Sequence, residues 1–133
     1  MEGQTPEQKT NKILLVDDDP AVRKVMRKGL EMGGFLVMEA ADGKAAVEKM
    51  AEGPDLVLQD LILPDITGYD LVAKLRARSQ EKPIPILALS GFMEQPDGPW
   101  DTSAGFDALL VKPIGPSELV KIVKEWLEKG TGG

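Results

Sequence analysis

Short apolar runs recur along the chain, with segments of a different period between them. The runs are ILLV at 13–16, FLVM at 35–38, LVL at 56–58, ILAL at 86–89 and ALLV at 108–111. Runs this short and this uniformly apolar suit strands buried on both faces of a parallel sheet. Between them the apolar positions follow a helical period. Val22, Val25, Met26 and Leu30 fall on one helical face, as do Leu119, Ile122, Val123, Trp126 and Leu127. The pattern predicts five strands alternating with five helices, a doubly wound α/β sheet with right-handed crossovers and helices on both faces.

Helix-start signals agree with that division. Asp19 before Pro20 reads as an N-cap followed by a residue preorganised for the first helical position. Thr67 with Asp70 three residues on resembles a capping box ahead of Leu71 and Val72. The fourth helix is the weak element, because GFMEQPDGPWDTSAG carries Pro96, Gly98 and Pro99 where helix is needed, and it is expected to be short, late or irregular.

Composition narrows the functional classes. The 133 residues, 42% of them hydrophobic, suffice for one domain with a sizeable core. That domain is expected over 12–129, with disordered tails at 1–11 and 130–133. Acidic residues outnumber basic ones by 22 to 16, a net charge of −6, which argues against direct contact with a nucleic-acid backbone. Cysteine and histidine are absent, so thiolate metal sites, disulfides and a phosphohistidine on this chain are all excluded. The polar opening MEGQTPEQKTNK does not read as a signal or anchor, and no apolar run approaches membrane-spanning length. A cytoplasmic domain with no membrane partner is expected.

In an open α/β sheet the ligand crevice lies at the carboxyl ends of the strands. The first predicted strand ends in Asp17 and Asp18, the third in Asp60, the fourth in Ser90 and the fifth in Lys112. Carboxylate oxygens with positions left for water and a phosphoryl group suit Mg²⁺, while a lysine and a hydroxyl suit the remaining phosphoryl oxygens. The set reads as a phosphoryl-transfer site without a base, in which an Asp carboxylate is itself the nucleophile. Taken singly, each residue has a plainer explanation: Asp19 caps a helix, Asp17 and Asp18 end a strand on polar groups, Ser90 is a loop hydroxyl and Lys112 a strand exit. Their joint occurrence at successive strand ends favours the functional reading. Acids crowded at one site also disfavour one another's ionised forms.

These segments resemble the receiver (CheY-like) domain of two-component response regulators. The likeness runs from about Lys12 to Lys129 and is carried by ILLVDDDPAVR, PDLVLQDLILPDITGYDL, LALSG and LLVKPI, in that order. It implies a flavodoxin-like sheet of order 2-1-3-4-5. Residue by residue, it implies that Asp60 accepts the phosphoryl group and that Asp18 and Asp60 bind Mg²⁺ directly. Asp17 would hold the metal through water, and the Ile62 backbone carbonyl would complete the protein ligands. Ser90 would move toward the phosphoryl group and Lys112 would pair with it, followed by Pro113 through a bond commonly cis in the family. The donor would be a phosphohistidine on a sensor histidine kinase or a histidine phosphotransfer protein.

The family further implies a signalling switch rather than an enzyme, with only Mg²⁺-dependent self-phosphorylation and slow autodephosphorylation, and a homodimer face formed by the fourth helix, fifth strand and fifth helix. Three positions depart from the commoner pattern: Leu109 where many members carry a switching aromatic, and apolar Ile62 and Phe92 where fast-cycling members carry polar groups. Two other classes remain open: a pseudo-receiver scaffold that works without phosphorylation, and a metal-dependent aspartyl-phosphate phosphatase. The latter typically needs a second acid at the position that Ile62 occupies.

Overall fold

The computed structural model describes residues 10–91 and 105–129. Along the chain run β1 (Lys12–Val16), α1 (Pro20–Met32), β2 (Leu36–Ala40), α2 (Gly43–Lys49) with a 3-10 turn at Met50–Glu52, and β3 (Leu56–Asp60). Then come α3 (Gly68–Arg78), β4 (Ile86–Gly91), β5 (Ala108–Lys112) and α4 (Pro116–Lys129), which is the fifth helix of the sequence pattern. The expected fourth helix lies outside the described residues, as do the expected tails apart from Thr10 and Asn11. Every strand pair is parallel and the order is β2-β1-β3-β4-β5, as expected.

Alternation along the strands divides the core between the two faces. Leu14 and Val16 of β1, Val57 of β3 and Ile86 and Ala88 of β4 pack with Ala46 of α2 and Leu71, Val72 and Leu75 of α3. Their neighbours Ile13, Leu15, Leu56, Leu58, Leu87 and Leu89 pack with Met26 and Leu30 of α1 and Leu119 and Val123 of α4. Burial on both faces holds for the central strands β1, β3 and β4, whereas the edge strands β2 and β5 are half-buried, which corrects the expectation of five fully buried strands. An edge strand is covered along one side only, so period alone does not reveal its exposure. Val25 is a second correction: it shares the helical period but is 60% exposed, at the margin of the α1 stripe.

The helix starts form as the residues dictate. The Asp19 carboxylate accepts from the Ala21 and Val22 amides at the head of α1, and Thr67 Oγ1 accepts from the Asp70 amide at the head of α3. Between Asp60 and α3 the chain folds back on itself: the Gly68 amide donates to the Leu61 carbonyl at 3.0 Å, and Ile62 bridges Thr67 in antiparallel fashion. Glycine is required at 68, because a Cβ there would meet the Leu61 Cα and carbonyl oxygen at 2.8 Å. The loop that follows β3 is thereby held close to the head of α3.

Candidate functional site

Strand register brings the expected residues to one edge. Val16 pairs with Ala40 on one side and Gln59 on the other, so Asp17 emerges from β1 beside Asp60 at the end of β3. Asp60 pairs with Leu89, Ser90 with Val111 and Gly91 with Lys112, which sets Ser90 and Lys112 on the next two strand ends. Carboxylate oxygens of Asp17, Asp18 and Asp60 lie within 4.8 Å of one another. Asp17 and Asp60 are buried and Asp18 is exposed.

Lysine joins the two buried acids. Lys112 Nζ donates to Asp17 Oδ2 at 3.1 Å and to Asp60 Oδ2 at 3.2 Å. The other oxygens are engaged by backbone: Asp17 Oδ1 accepts from the Asp19 amide at 2.9 Å, and Asp60 Oδ1 accepts from the Ile62 amide at 3.2 Å. The crowding of acids expected from the sequence is therefore offset in part by a shared ammonium. Burial nonetheless pushes the Asp60 carboxyl above the usual carboxylate range and the Asp17 charge adds to it, against the opposing pull of the Ile62 amide and Lys112. For Lys112 burial favours the neutral amine, but the hydrogen bond to Asp17 and the charges of Asp60 and Asp17 together outweigh it and raise the ammonium above its ordinary value.

Replacing Lys112 by methionine should leave two buried carboxylates facing each other. Removing one partner of a buried ion pair typically costs about 3–5 kcal/mol, and the partial exposure of the lysine puts the expected loss near the lower end, about 3 kcal/mol. Denaturant melts of the metal-free chain measure it. A loss below about 1 kcal/mol, the size of an ordinary surface pair, would show that the ammonium does not neutralise the pair.

The remaining expected residues sit as follows. Ser90 is fully buried and its hydroxyl donates to the Gly91 carbonyl at 3.1 Å, so it shares the sheet edge without bonding to the carboxylates among the described residues. The Ile62 side chain is 56% exposed beside Asp60. Leu109 is partly buried against the α2–α3 side of the core, which fits a packing role. The Lys112–Pro113 bond is cis, as the resemblance implies. Phe92 lies outside the described residues.

Several contributors went unread in the sequence. Gln59, the polar side chain beside Asp60 among the buried positions of β3, donates from Nε2 to the Gly68 carbonyl at 2.9 Å and so ties β3 to α3. The Asp65 carboxylate accepts from the Gly43 amide at 2.9 Å and the Lys44 amide at 3.0 Å, which binds the loop after Asp60 to the head of α2. Those hydrogen bonds, that from Gly43 foremost, hold the Asp65 carboxyl below the usual range. Arg23 of α1 donates from Nη1 to the Asp17 carbonyl at 2.7 Å. A glutamine inside DLVLQD was a visible signal; the amides that Asp65 meets lie 22 and 21 residues away, and the carbonyl that Arg23 meets is backbone, so neither left one.

Hard oxygen donors at this spacing, with an ammonium opposite, suit a small divalent cation and a phosphoryl group. The family model for the response regulator receiver domain matches residues 13–124. The chain belongs to that family. A relative from Leptolyngbya boryana, described as an uncharacterized 14.6 kDa protein in the sodA1 3' region, is 32% identical over 86% of this chain and 88% of its own length. The DNA-binding dual master transcriptional regulator RpaA of Synechocystis is 33% identical over 89% of this chain, which spans about half of that regulator's length (49%). Among solved structures, the receiver domain of the sensor histidine kinase PA1611 from Pseudomonas aeruginosa aligns with a TM-score of 0.78 at 34% identity, over 90% of this chain and 99% of that one. That receiver is described with a magnesium ion coordinated in its active site cleft.

One expectation about surroundings is qualified by these findings. A DNA-binding regulator among the relatives removes support for the expected absence of a nucleic-acid partner. No helix among the described residues is long and apolar enough to cross a membrane.

Proposed function

We propose that this receiver is a phosphorylation-dependent switch in a two-component phosphorelay, with Asp60 as the acceptor. The observation that carries the reading is the shared ammonium: Lys112 Nζ contacts both Asp60 and Asp17, with Asp18 completing the acid cluster. Asp18, Asp60 and the Ile62 carbonyl would hold Mg²⁺, and Asp17 would hold it through water. When bound, the ion would supply positive charge against the phosphoryl oxygens.

The chemistry asked of the chain is then small. An Asp60 carboxylate oxygen attacks phosphorus, the bond from phosphorus to the donor imidazole nitrogen breaks, and its electron pair stays with the imidazole. The Ile62 amide and Lys112 already address the two Asp60 oxygens, so they orient the nucleophile. Lys112 turns to the arriving phosphoryl group and Ser90 moves toward it. With no histidine among its 133 residues the chain needs an external donor, a sensor histidine kinase or a histidine phosphotransfer protein. Activity beyond Mg²⁺-dependent self-phosphorylation and slow autodephosphorylation is not part of the proposal. The exposed apolar Ile62 side chain offers no group to orient a hydrolytic water. A cytoplasmic location belongs to the same proposal, as does dimerisation through the face that includes β5 and α4.

Incubating the chain with Mg²⁺ and a small phosphodonor tests the reading by intact mass and phosphate release. A single lasting phosphoryl adduct is expected. No adduct would favour a phosphorylation-independent scaffold, and steady phosphate release would favour a phosphatase; either outcome overturns the switch.

A further inference from the structure

Asp17 is held at every polar atom, and the two holds on its backbone come from outside the acid cluster and its lysine. Its amide donates to the Ala40 carbonyl at 3.1 Å, its carboxylate meets the Asp19 amide and Lys112, and its carbonyl accepts from Arg23 Nη1 at 2.7 Å. Arg23 is in turn fixed by Glu39, the residue before Ala40 on β2: Arg23 Nε donates to Glu39 Oε1 at 2.9 Å. Arg27 Nη1 donates to the other Glu39 oxygen at 2.6 Å. Both side chains of the Arg23–Glu39 pair are shielded, at 19% and 28% exposure. Burial works against the Glu39 charge, but the bonds from Arg27 and Arg23 and their charges outweigh it and keep the carboxyl below its ordinary range.

The last two residues of β2 thus grip the Asp17 backbone from both sides, Ala40 directly and Glu39 through Arg23. The carbonyl that Arg23 holds belongs to the peptide joining Asp17 to Asp18, so its orientation sets where both carboxylates start. We infer that Arg23, oriented by Glu39, is a positioning residue for the metal site, holding the Asp17–Asp18 peptide so that the acids stand at cation-binding spacing. The inference rests on the proposal that the cluster binds Mg²⁺. Partners of this outer kind fix the ligand geometry that a metal with strict octahedral demands requires.

The sign of the effect separates positioning from charge. Arg23 is a cation near three acids, so by Coulomb's law alone its removal should tighten Mg²⁺ binding. Positioning requires the opposite. The test is calorimetric titration of the whole chain with MgCl₂ alone, with no phosphodonor, together with denaturant melts and the amide NMR signals of Asp18 and Asp19 in the metal-free state. Arg23→Ala should weaken Mg²⁺ binding by roughly 10-fold, the lower part of the range for such partners, and should shift both amide signals. Arg23→Lys, which cannot reach the Asp17 carbonyl and Glu39 together, should bind with intermediate affinity. Arg27→Ala removes an ion pair to the same Glu39 but no contact to Asp17, and should bind as the parent does.

If the parent itself binds no Mg²⁺, the metal reading fails rather than the positioning role alone. Parent-like or tighter binding by Arg23→Ala, with only a loss of stability, overturns the positioning role. Should Arg23→Ala not fold, Arg23→Lys decides: parent-like affinity overturns the inference, and weakened affinity with unchanged binding in Arg27→Ala supports it.

Discussion

An Asp60→Asn chain should gain no phosphoryl mass under conditions that fully label the parent. The neutral amide keeps the size of the side chain, and its oxygen can still accept from the Ile62 amide as Asp60 Oδ1 does at 3.2 Å. It lacks the anionic oxygen that, on the proposed reading, would attack phosphorus, and its NH₂ would face the Lys112 ammonium, donor against donor. The neighbouring acids are poor substitutes. Both Asp17 oxygens are engaged, by the Asp19 amide and Lys112, and Asp18 is exposed without the lysine that flanks Asp60. Stability should change little, within about 1 kcal/mol, because the lost pairing is balanced by removal of a buried charge that burial already disfavours. Intact mass spectrometry after incubation with Mg²⁺ and a small phosphodonor reads the result. A persistent adduct on the variant would move the acceptor to another acid.

What the sequence alone reveals of this molecule follows from the range over which each feature is encoded. The converging residues Asp17, Asp18, Asp60, Ser90 and Lys112 could be read because a doubly wound sheet turns apolar runs into parallel strands whose carboxyl ends share one edge, whereas the strand order was implied only by the resemblance to the receiver family. The caps Asp19 and Thr67 were legible because their partners lie two or three residues away. Val25 was misread because a helical stripe has margins, and which margin is covered depends on the neighbouring element. The half-exposure of β2 and β5 depends on which strands end up at the edges, a property of the whole sheet.

The polar network around the site was the least legible part. Arg23 meets Glu39 across 16 residues and Asp65 meets Gly43 across 22, with no local pattern in either case. Such pairs follow from the fold rather than announce it. The acid cluster shows the same limit from the other side. Its like charges were visible as adjacent letters, whereas the ammonium that offsets them comes from 95 residues away.

Arg76→Ala should be among the most destabilising single changes away from the site. Arg76 lies in the last turn of α3, and its guanidinium reaches three acceptors on the two segments that lead into β4 and β5. Nε donates to the Gly105 carbonyl at 2.8 Å, Nη1 to the Ile84 carbonyl at 2.5 Å and Nη2 to Asp107 Oδ2 at 2.7 Å. The same Asp107 oxygen accepts from the Ile86 amide at 2.9 Å, so one planar fork links α3 to the starts of β4 and β5. Truncation removes three hydrogen bonds at once and takes the guanidinium from an Asp107 side chain that is only 9% exposed. Breaking a buried pair costs about 3–5 kcal/mol, and because the arginine is partly open to water the expected loss is about 3 kcal/mol. Lysine at this position keeps a charge near Asp107 but cannot serve all three acceptors, so Arg76→Lys should recover less than half of the loss. Urea melts should show a lower midpoint with an unchanged slope, since the surface exposed on unfolding hardly differs. Because the contacts lie at the strand starts, opposite the acid cluster, Mg²⁺ affinity of the folded chain should stay at the parental value. A loss below about 1 kcal/mol would mean that water replaces the guanidinium, and that the strand ladder and apolar packing suffice to hold α3 to β4 and β5.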